Sequence, residues 1–236
     1  MSDSAETTPA PFDPTSLQLA QPEETVGVYV LAMDNGENRF NAASIARLHE
    51  LLDELDAVEG PKALVTVGAG KFFSNGLDLD WLMSDAAADA PDFMDGVHRL
   101  FGRILFNEAY TVAAINGHAF AGGAMLATAH DHRVMRSDRG YFCIPEVDLG
   151  LPLTDGMTAV LQARIPPAPL HAAVATGRRW SAEEMLSAAA IEEVAGEADV
   201  LPRAIEHAGQ YAKGAGDCLA TMKRGLYPEA HRILLG

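Results

Sequence analysis

Asn116-Gly117-His118-Ala119-Phe120-Ala121-Gly122-Gly123-Ala124-Met125 follows the apolar run at residues 111–115 and precedes Pro145-Glu146 by some twenty residues. The run reads as a buried strand, the Asn-Gly-His segment as a loop, and Gly122 as the start of a helix. N–H groups in the first turn of a helix lack partners within it and carry the positive end of its dipole. Glycine lets a ligand come close to that backbone. Such an opening can hold an oxyanion, and a nearby carboxylate can move protons beside it. The pattern points to an enzyme acting next to a carbonyl.

Residues 111–129 carry no Asp, Glu, Lys or Arg and nearly match a membrane span in length. Asn116, Gly117, His118 and the Gly122-Gly123 pair interrupt them, so a buried strand–loop–helix is the better reading, and no membrane association is expected. The formal net charge of −16 opposes nucleic acid, and no basic stripe with interleaved aromatics offsets it. Cys143 and Cys218 give neither a disulfide framework nor a metal-ligand spacing. They read as small buried apolar groups rather than nucleophiles, in a reducing, cytoplasmic setting, with no metal. Residues 1–22, with Pro9, Pro11 and Pro14, read as a disordered lead-in without signal-peptide character.

Working outward, residues 26–33 and 63–67 are β-branched, apolar strand candidates. Asn41 is placed to cap a helix with Ile45, Leu48, Leu52 and Leu55 on one face. A short helix starts near Asp78, which reads as a backbone-bonding helix-start residue. Residues 84–92 are acidic and small, a surface loop or a lid. A helix over 93–107, a strand at 132–135, and helices near 156–163 and 170–176 follow. Ser181-Ala182-Glu183-Glu184 is a capping box, and 201–214 is helical. Strands alternating with helices give an α/β fold with parallel pairing. There is no sequence repeat and no Gly-x-Gly-x-x-Gly dinucleotide fingerprint.

Three segments in register over residues 25–195 resemble the crotonase (enoyl-CoA hydratase/isomerase) superfamily: Lys71-Phe72-Phe73-Ser74-Asn75-Gly76-Leu77-Asp78-Leu79, Thr111 to Gly123, and Phe142-Cys143-Ile144-Pro145-Glu146-Val147-Asp148-Leu149-Gly150. The resemblance implies a spiral of ββα units over residues 23–196, a short helical C-terminal region over 197–236, a homotrimer, and an acyl-CoA thioester as ligand. Coenzyme A is then part of the substrate, and no separate cofactor is expected. It further implies that the Leu77 and Gly122 N–H groups hold the thioester oxygen. Arg39, Phe40, Ser74 and Gly76 would line the coenzyme A path, and Lys71 or Arg39 would meet phosphate or be plain surface charge.

Hydratases of this family carry two glutamates. Met125 occupies the position of the first, and Glu146 that of the second. One glutamate beside an oxyanion hole resembles the Δ3,Δ2-enoyl-CoA isomerases. On that reading Glu146 takes a C2 proton from a 3-enoyl thioester and returns one to C4, and an apolar Met125 excludes water. The alternatives are a hydratase or other crotonase-type activity using Asp155 or Asp148, with Thr154 and Asp155 entering the pocket, and a non-catalytic acyl-CoA binding protein. His118 reads as hydrogen-bonded in its loop rather than catalytic.

Overall fold

In the computed structural model, which describes residues 13, 16–89 and 92–236, each predicted strand–helix passage becomes a turn of a spiral. The elements run β1 (Leu17–Ala20), β2 (Val28–Met33), β3 (Arg39–Phe40), α1 (Ala42–Asp56), β4 (Ala63–Gly68), β5 (Phe72–Ser74), β6 (Gly76–Leu77), α2 (Leu79–Leu82), α3 (Phe93–Leu105) and β7 (Tyr110–Ile115). They continue with β8 (His118–Phe120), α4 (Gly122–Ala129), β9 (His132–Arg136), β10 (Phe142–Cys143), α5 (Glu146–Leu149), α6 (Asp155–Arg164), α7 (Pro167–Thr176) and α8 (Ala182–Ser187). The chain ends with β11 (Glu193–Ala195), α9 (Val200–Tyr211), α10 (Asp217–Leu226) and α11 (Pro228–Leu235). The main sheet has the order β1-β2-β4-β7-β9-β11, parallel except for the antiparallel edge β1. Short strands leave it to form two side layers, β10-β8-β5 and β3-β6. The repeated ββα unit is therefore present in the backbone although the sequence has no repeat.

Period-two alternation fixes the two faces of the main sheet. Val65, Val112 and Ala114 point to one cluster, which α9 closes with Ala204 and Ala208. Leu64, Ala113 and Ile115 point to the larger core under α1, α3 and α4. Helix α1 turns its buried Ile45, Leu48, Leu51, Leu52 and Leu55 to that core. It starts where expected, since the Asn41 side chain accepts from the Ser44 N–H in a reciprocal capping box, a device worth about 1 kcal/mol. The 181–184 capping box also forms.

Several expectations need correction. The lead-in does not extend to residue 22, because Leu17–Ala20 pairs with β2 and buries Leu17; residues 1–12, 14 and 15 lie outside the described residues. The Asn116–Ala121 segment is not all loop, since His118–Phe120 forms a strand paired with β5 and β10. Three residues are too few to show a period. In the acidic 84–92 stretch, Asp85–Asp89 is a 3-10 turn, and residues 90 and 91 lie outside the described residues. Cys143 is buried but Cys218 is exposed. Beyond residue 214, α10 and α11 complete the C-terminal region, and α11 packs against α3 so closely that a Cβ on Gly102 would lie 2.8 Å from Leu235. No helix is long and apolar enough to cross a membrane among the described residues.

Candidate active site

The three motif segments meet at the start of α4. Gly76 has φ +79°, and a Cβ there would lie 2.8 Å from the Gly122 nitrogen. A Cβ on Gly122 would sit 3.5 Å from Phe40 Cδ2 and 3.6 Å from Leu77 Cδ2. A Cβ on Gly123 would lie 2.2 Å from the Ser74 carbonyl oxygen, so these glycines allow helix and loop to touch. The first helical bond of α4 runs from the Met125 N–H to the Ala121 carbonyl; the Gly122 N–H precedes it and has no carbonyl one turn back. The Asp78 N–H donates to the Phe40 carbonyl at 2.9 Å. The pleat sends the neighbouring Leu77 N–H away from β3. Ser74 braces this bend: its buried hydroxyl donates to the Asn38 carbonyl at 2.6 Å and accepts from the Gly76 N–H at 3.2 Å.

Ala121 enters α4 with φ +50° and ψ −124°. A non-glycine residue there carries strain on the order of 1–3 kcal/mol. Its N–H donates to the Cys143 carbonyl at 3.0 Å, which ties the helix start to β10, three residues before Glu146. The same tie fixes the carboxylate relative to the amides.

Glu146 and Leu77 line one cavity of about 360 Å³, together with Arg39. Its walls include Leu79, Phe120, Leu149, Leu151 and Met157. Glu146 is 8% exposed, and its Oε2 is buried without a hydrogen-bond partner. Burial pushes its pKa up from 4.5 to about 6, against a smaller downward pull from its own backbone N–H. A buried carboxylate of that affinity can accept and return a proton near neutral pH.

The other predicted residues are placed differently. Met125 is fully buried in the core and is not among the residues lining this cavity. Thr154 caps α6 and bonds His98 Nε2 through its hydroxyl at 2.8 Å. Asp155 is exposed and opens on a separate cavity between α6 and α11. Asp148 is exposed on α5, with Oδ2 only 2.6 Å from where a Gly177 Cβ would stand. Neither aspartate lines the Glu146 cavity. Asp78 caps α2 through the Trp81 N–H. Lys71 is exposed, with its ammonium 5.5 Å from the Phe72 ring centre.

Arg39 is held by three acids, Glu37 at 2.7 Å, Asp80 at 3.0 Å and Asp78 at 3.6 Å. Asp80 and Asn75 also line the cavity and were missed; the Asp78-Leu79-Asp80 turn one residue past the motif was the available signal. His118 corrects another expectation. Its Nδ1 is buried without a hydrogen-bond partner, and its ring is packed by Phe72, Phe120 and Tyr141. Burial raises the Cys143 thiol to about 11, so it is no nucleophile at neutral pH. Among the described residues no group of three His, Cys, Asp or Glu is arranged to hold a metal ion.

A spiral of ββα units, with a buried carboxylate and a strained helix start lining one cavity, is the arrangement the crotonase resemblance implied. The comparisons agree. Residues 23–234 match the family model described as enoyl-CoA hydratase/isomerase, and the chain belongs to that family. Enoyl-CoA delta isomerase 3 of Arabidopsis thaliana is 32% identical over 208 residues, covering 84% of this chain and 87% of the relative. Carnitinyl-CoA dehydratase of Salmonella enteritidis PT4 is 34% identical over 180 residues, covering 76% and 68%. The crystal structure of enoyl-CoA hydratase EchA3 from Mycobacterium ulcerans Agy99 superposes with a TM-score of 0.83 at 29% identity, covering 93% of this chain and 94% of that one.

Proposed function

We propose that the protein is an enoyl-CoA isomerase that moves the double bond of a 3-enoyl thioester into conjugation. The observation that carries this reading is the single unpaired, buried carboxylate: Glu146 has an unpartnered Oε2 in the cavity it shares with Leu77. The other carboxylate there, Asp80, is tied to Arg39. With one free carboxylate, proton transfer from C2 to C4 is served better than the addition of water, which needs a second group to position it. Glu146 takes the C2 proton, and the charge of the dienolate gathers on the thioester oxygen. The Leu77 and Gly122 N–H groups stabilise that oxygen, and Glu146 returns the proton to C4. The isomerase relatives support this choice, while the dehydratase relatives show that the family spans both chemistries. A homotrimer and a cytoplasmic location belong to the same reading; light scattering on the purified protein, giving a mass other than three chains, removes the first.

The test is parallel assay of purified protein with 3-enoyl-CoA and 2-enoyl-CoA. Conversion of the first must exceed hydration of the second, and Glu146→Gln must abolish the conversion while coenzyme A ester binding persists. Turnover unchanged in that variant eliminates the reading.

A further inference from the structure

Part of the wall of the Glu146 cavity is a segment with little structure of its own. Leu151, Pro152 and Met157 line the cavity, yet residues 151–154 belong to no helix or strand, and Leu151 and Pro152 are exposed. Such a segment keeps one shape only where its ends are tied down. One end is tied to the carboxylate's own backbone, since the Leu151 N–H donates to the Glu146 carbonyl at 3.0 Å. The other end is Thr154. Its hydroxyl oxygen accepts from the Met157 N–H at 3.3 Å, and the same hydroxyl bonds His98 Nε2 at 2.8 Å.

His98 comes from α3, 56 residues back along the chain. Its ring lies against the first turn of α6, where a Cβ on Gly156 would stand 2.6 Å from both Cγ and Cδ2. Burial lowers the ring's affinity for a proton, against smaller upward pulls from Asp95 and Asp155, so the imidazole is neutral at neutral pH. With its one proton on Nδ1, the ring accepts the Thr154 O–H at Nε2 while the Thr154 oxygen still accepts from Met157. One hydroxyl thereby joins α3, the loop and α6. A cap alone needs no such partner: Asn41 and Ser181 cap α1 and α8 by bonds within their own helix starts. We propose that His98 is a positioning residue, holding the 151–157 wall, and with it the acyl chain, at the distance from Glu146 that proton transfer needs. It does not line the cavity, so it acts through Thr154. The proposal rests on the isomerase reading above. Reacting atoms displaced by about 1 Å lose about 10²-fold in rate, and a wall freed at one end reaches the productive arrangement only part of the time.

The experiment compares wild type with His98→Leu, His98→Gln, Thr154→Val, Thr154→Ser and His98→Leu/Thr154→Val. It reads kcat and KM on 3-enoyl-CoA, calorimetric affinity for 2-enoyl-CoA and for free coenzyme A, and a thermal melt. His98→Leu must lower kcat/KM about tenfold or more and weaken the acyl ester, while free coenzyme A, which has no acyl chain to meet the wall, binds as in wild type. His98→Gln, whose amide reaches the Thr154 hydroxyl, must restore most of the loss. The double variant must be no worse than the poorer single variant, because both substitutions cut one link. Turnover in His98→Leu equal to wild type, losses that multiply in the double variant, or free coenzyme A weakened as far as the acyl ester overturns the proposal. If His98→Leu does not fold, the Thr154 pair decides: activity must fall in Thr154→Val and persist in Thr154→Ser, and equal activity overturns the proposal. The two readings fail separately. Isomerisation unaltered in His98→Leu removes only the positioning role; acyl-ester affinity lost in that variant, with no isomerisation by wild type, removes only the isomerase.

Discussion

Glu146→Gln should make the protein more stable as it makes it inactive, and by an amount that depends on pH. The folded-state pKa of Glu146 is raised from 4.5 to about 6 by burial. At pH 8 the carboxylate is charged in both the folded and the unfolded chain, and the folded one suffers the desolvation. A shift of this size corresponds to about 2 kcal/mol at 1.36 kcal/mol per unit. The sign follows from proton binding. Between the two pKa values the folded state holds more protons than the unfolded state, so stability falls as pH rises through that window. The penalty is full above the folded value and has dropped below half by about pH 5. A glutamine has no charge to desolvate, so the variant should gain up to ~2 kcal/mol at pH 8, a rise of about 4–8 °C in Tm for a chain of this length. The gain should shrink steadily toward pH 5. Urea denaturation of both proteins at half-unit steps from pH 5 to 8 measures it. The kcat/KM of the wild type should rise with pH through about 6 and then level. A gain that is absent at pH 8, or equal at pH 5 and pH 8, refutes burial as the cause of the raised affinity.

Gly76→Ala forces a side chain into φ +79° and within 2.8 Å of the Gly122 nitrogen. Turnover should fall about 10²–10³-fold, the usual loss when one oxyanion donor is displaced, with coenzyme A binding changed far less in equilibrium titration. Asp148→Ala/Asp155→Ala should leave turnover within about twofold of wild type, because neither carboxylate faces the cavity; steady-state assays showing a larger drop would restore the aspartates as candidate acids. Arg133→Met should destabilise by about 3–5 kcal/mol in urea denaturation, since it strips donors from the Ala190, Thr128 and His130 carbonyls and from Glu192, leaving buried acceptors without partners.

The sequence spoke clearly wherever a signal was local. Strand alternation and the 3.6-residue period each act within one element, and so do the Asn41 and Ser181 caps, which is why those elements fall close to where their residues place them. The site was legible in part for the same reason. The glycines at 76 and 122 and the carboxylate at 146 each stand inside a motif, and the fold brings them to one place. Contacts between units were not legible. The pairing that makes β8 a strand comes from β5 and β10, and β1 exists because β2 offers it an edge. The same limit misplaced Asp155. Its position two residues before Met157, which does line the cavity, turns it on α6 toward α11 instead. It also concealed Asp80, whose link to Arg39 spans 41 residues of chain.

One place breaks local rules rather than merely hiding from them. Alanine is a poor choice for φ +50°, and a glycine at 121 would adopt that conformation without strain. Conflicts between local preference and adopted backbone concentrate where geometry serves a site. Here the Ala121 methyl limits the freedom of the peptide that presents the Gly122 N–H, and the bond from the Ala121 N–H to Cys143 carries that rigidity to the segment bearing Glu146. A strained alanine therefore holds the amide and the carboxylate in one frame, which a flexible residue would leave free to drift apart.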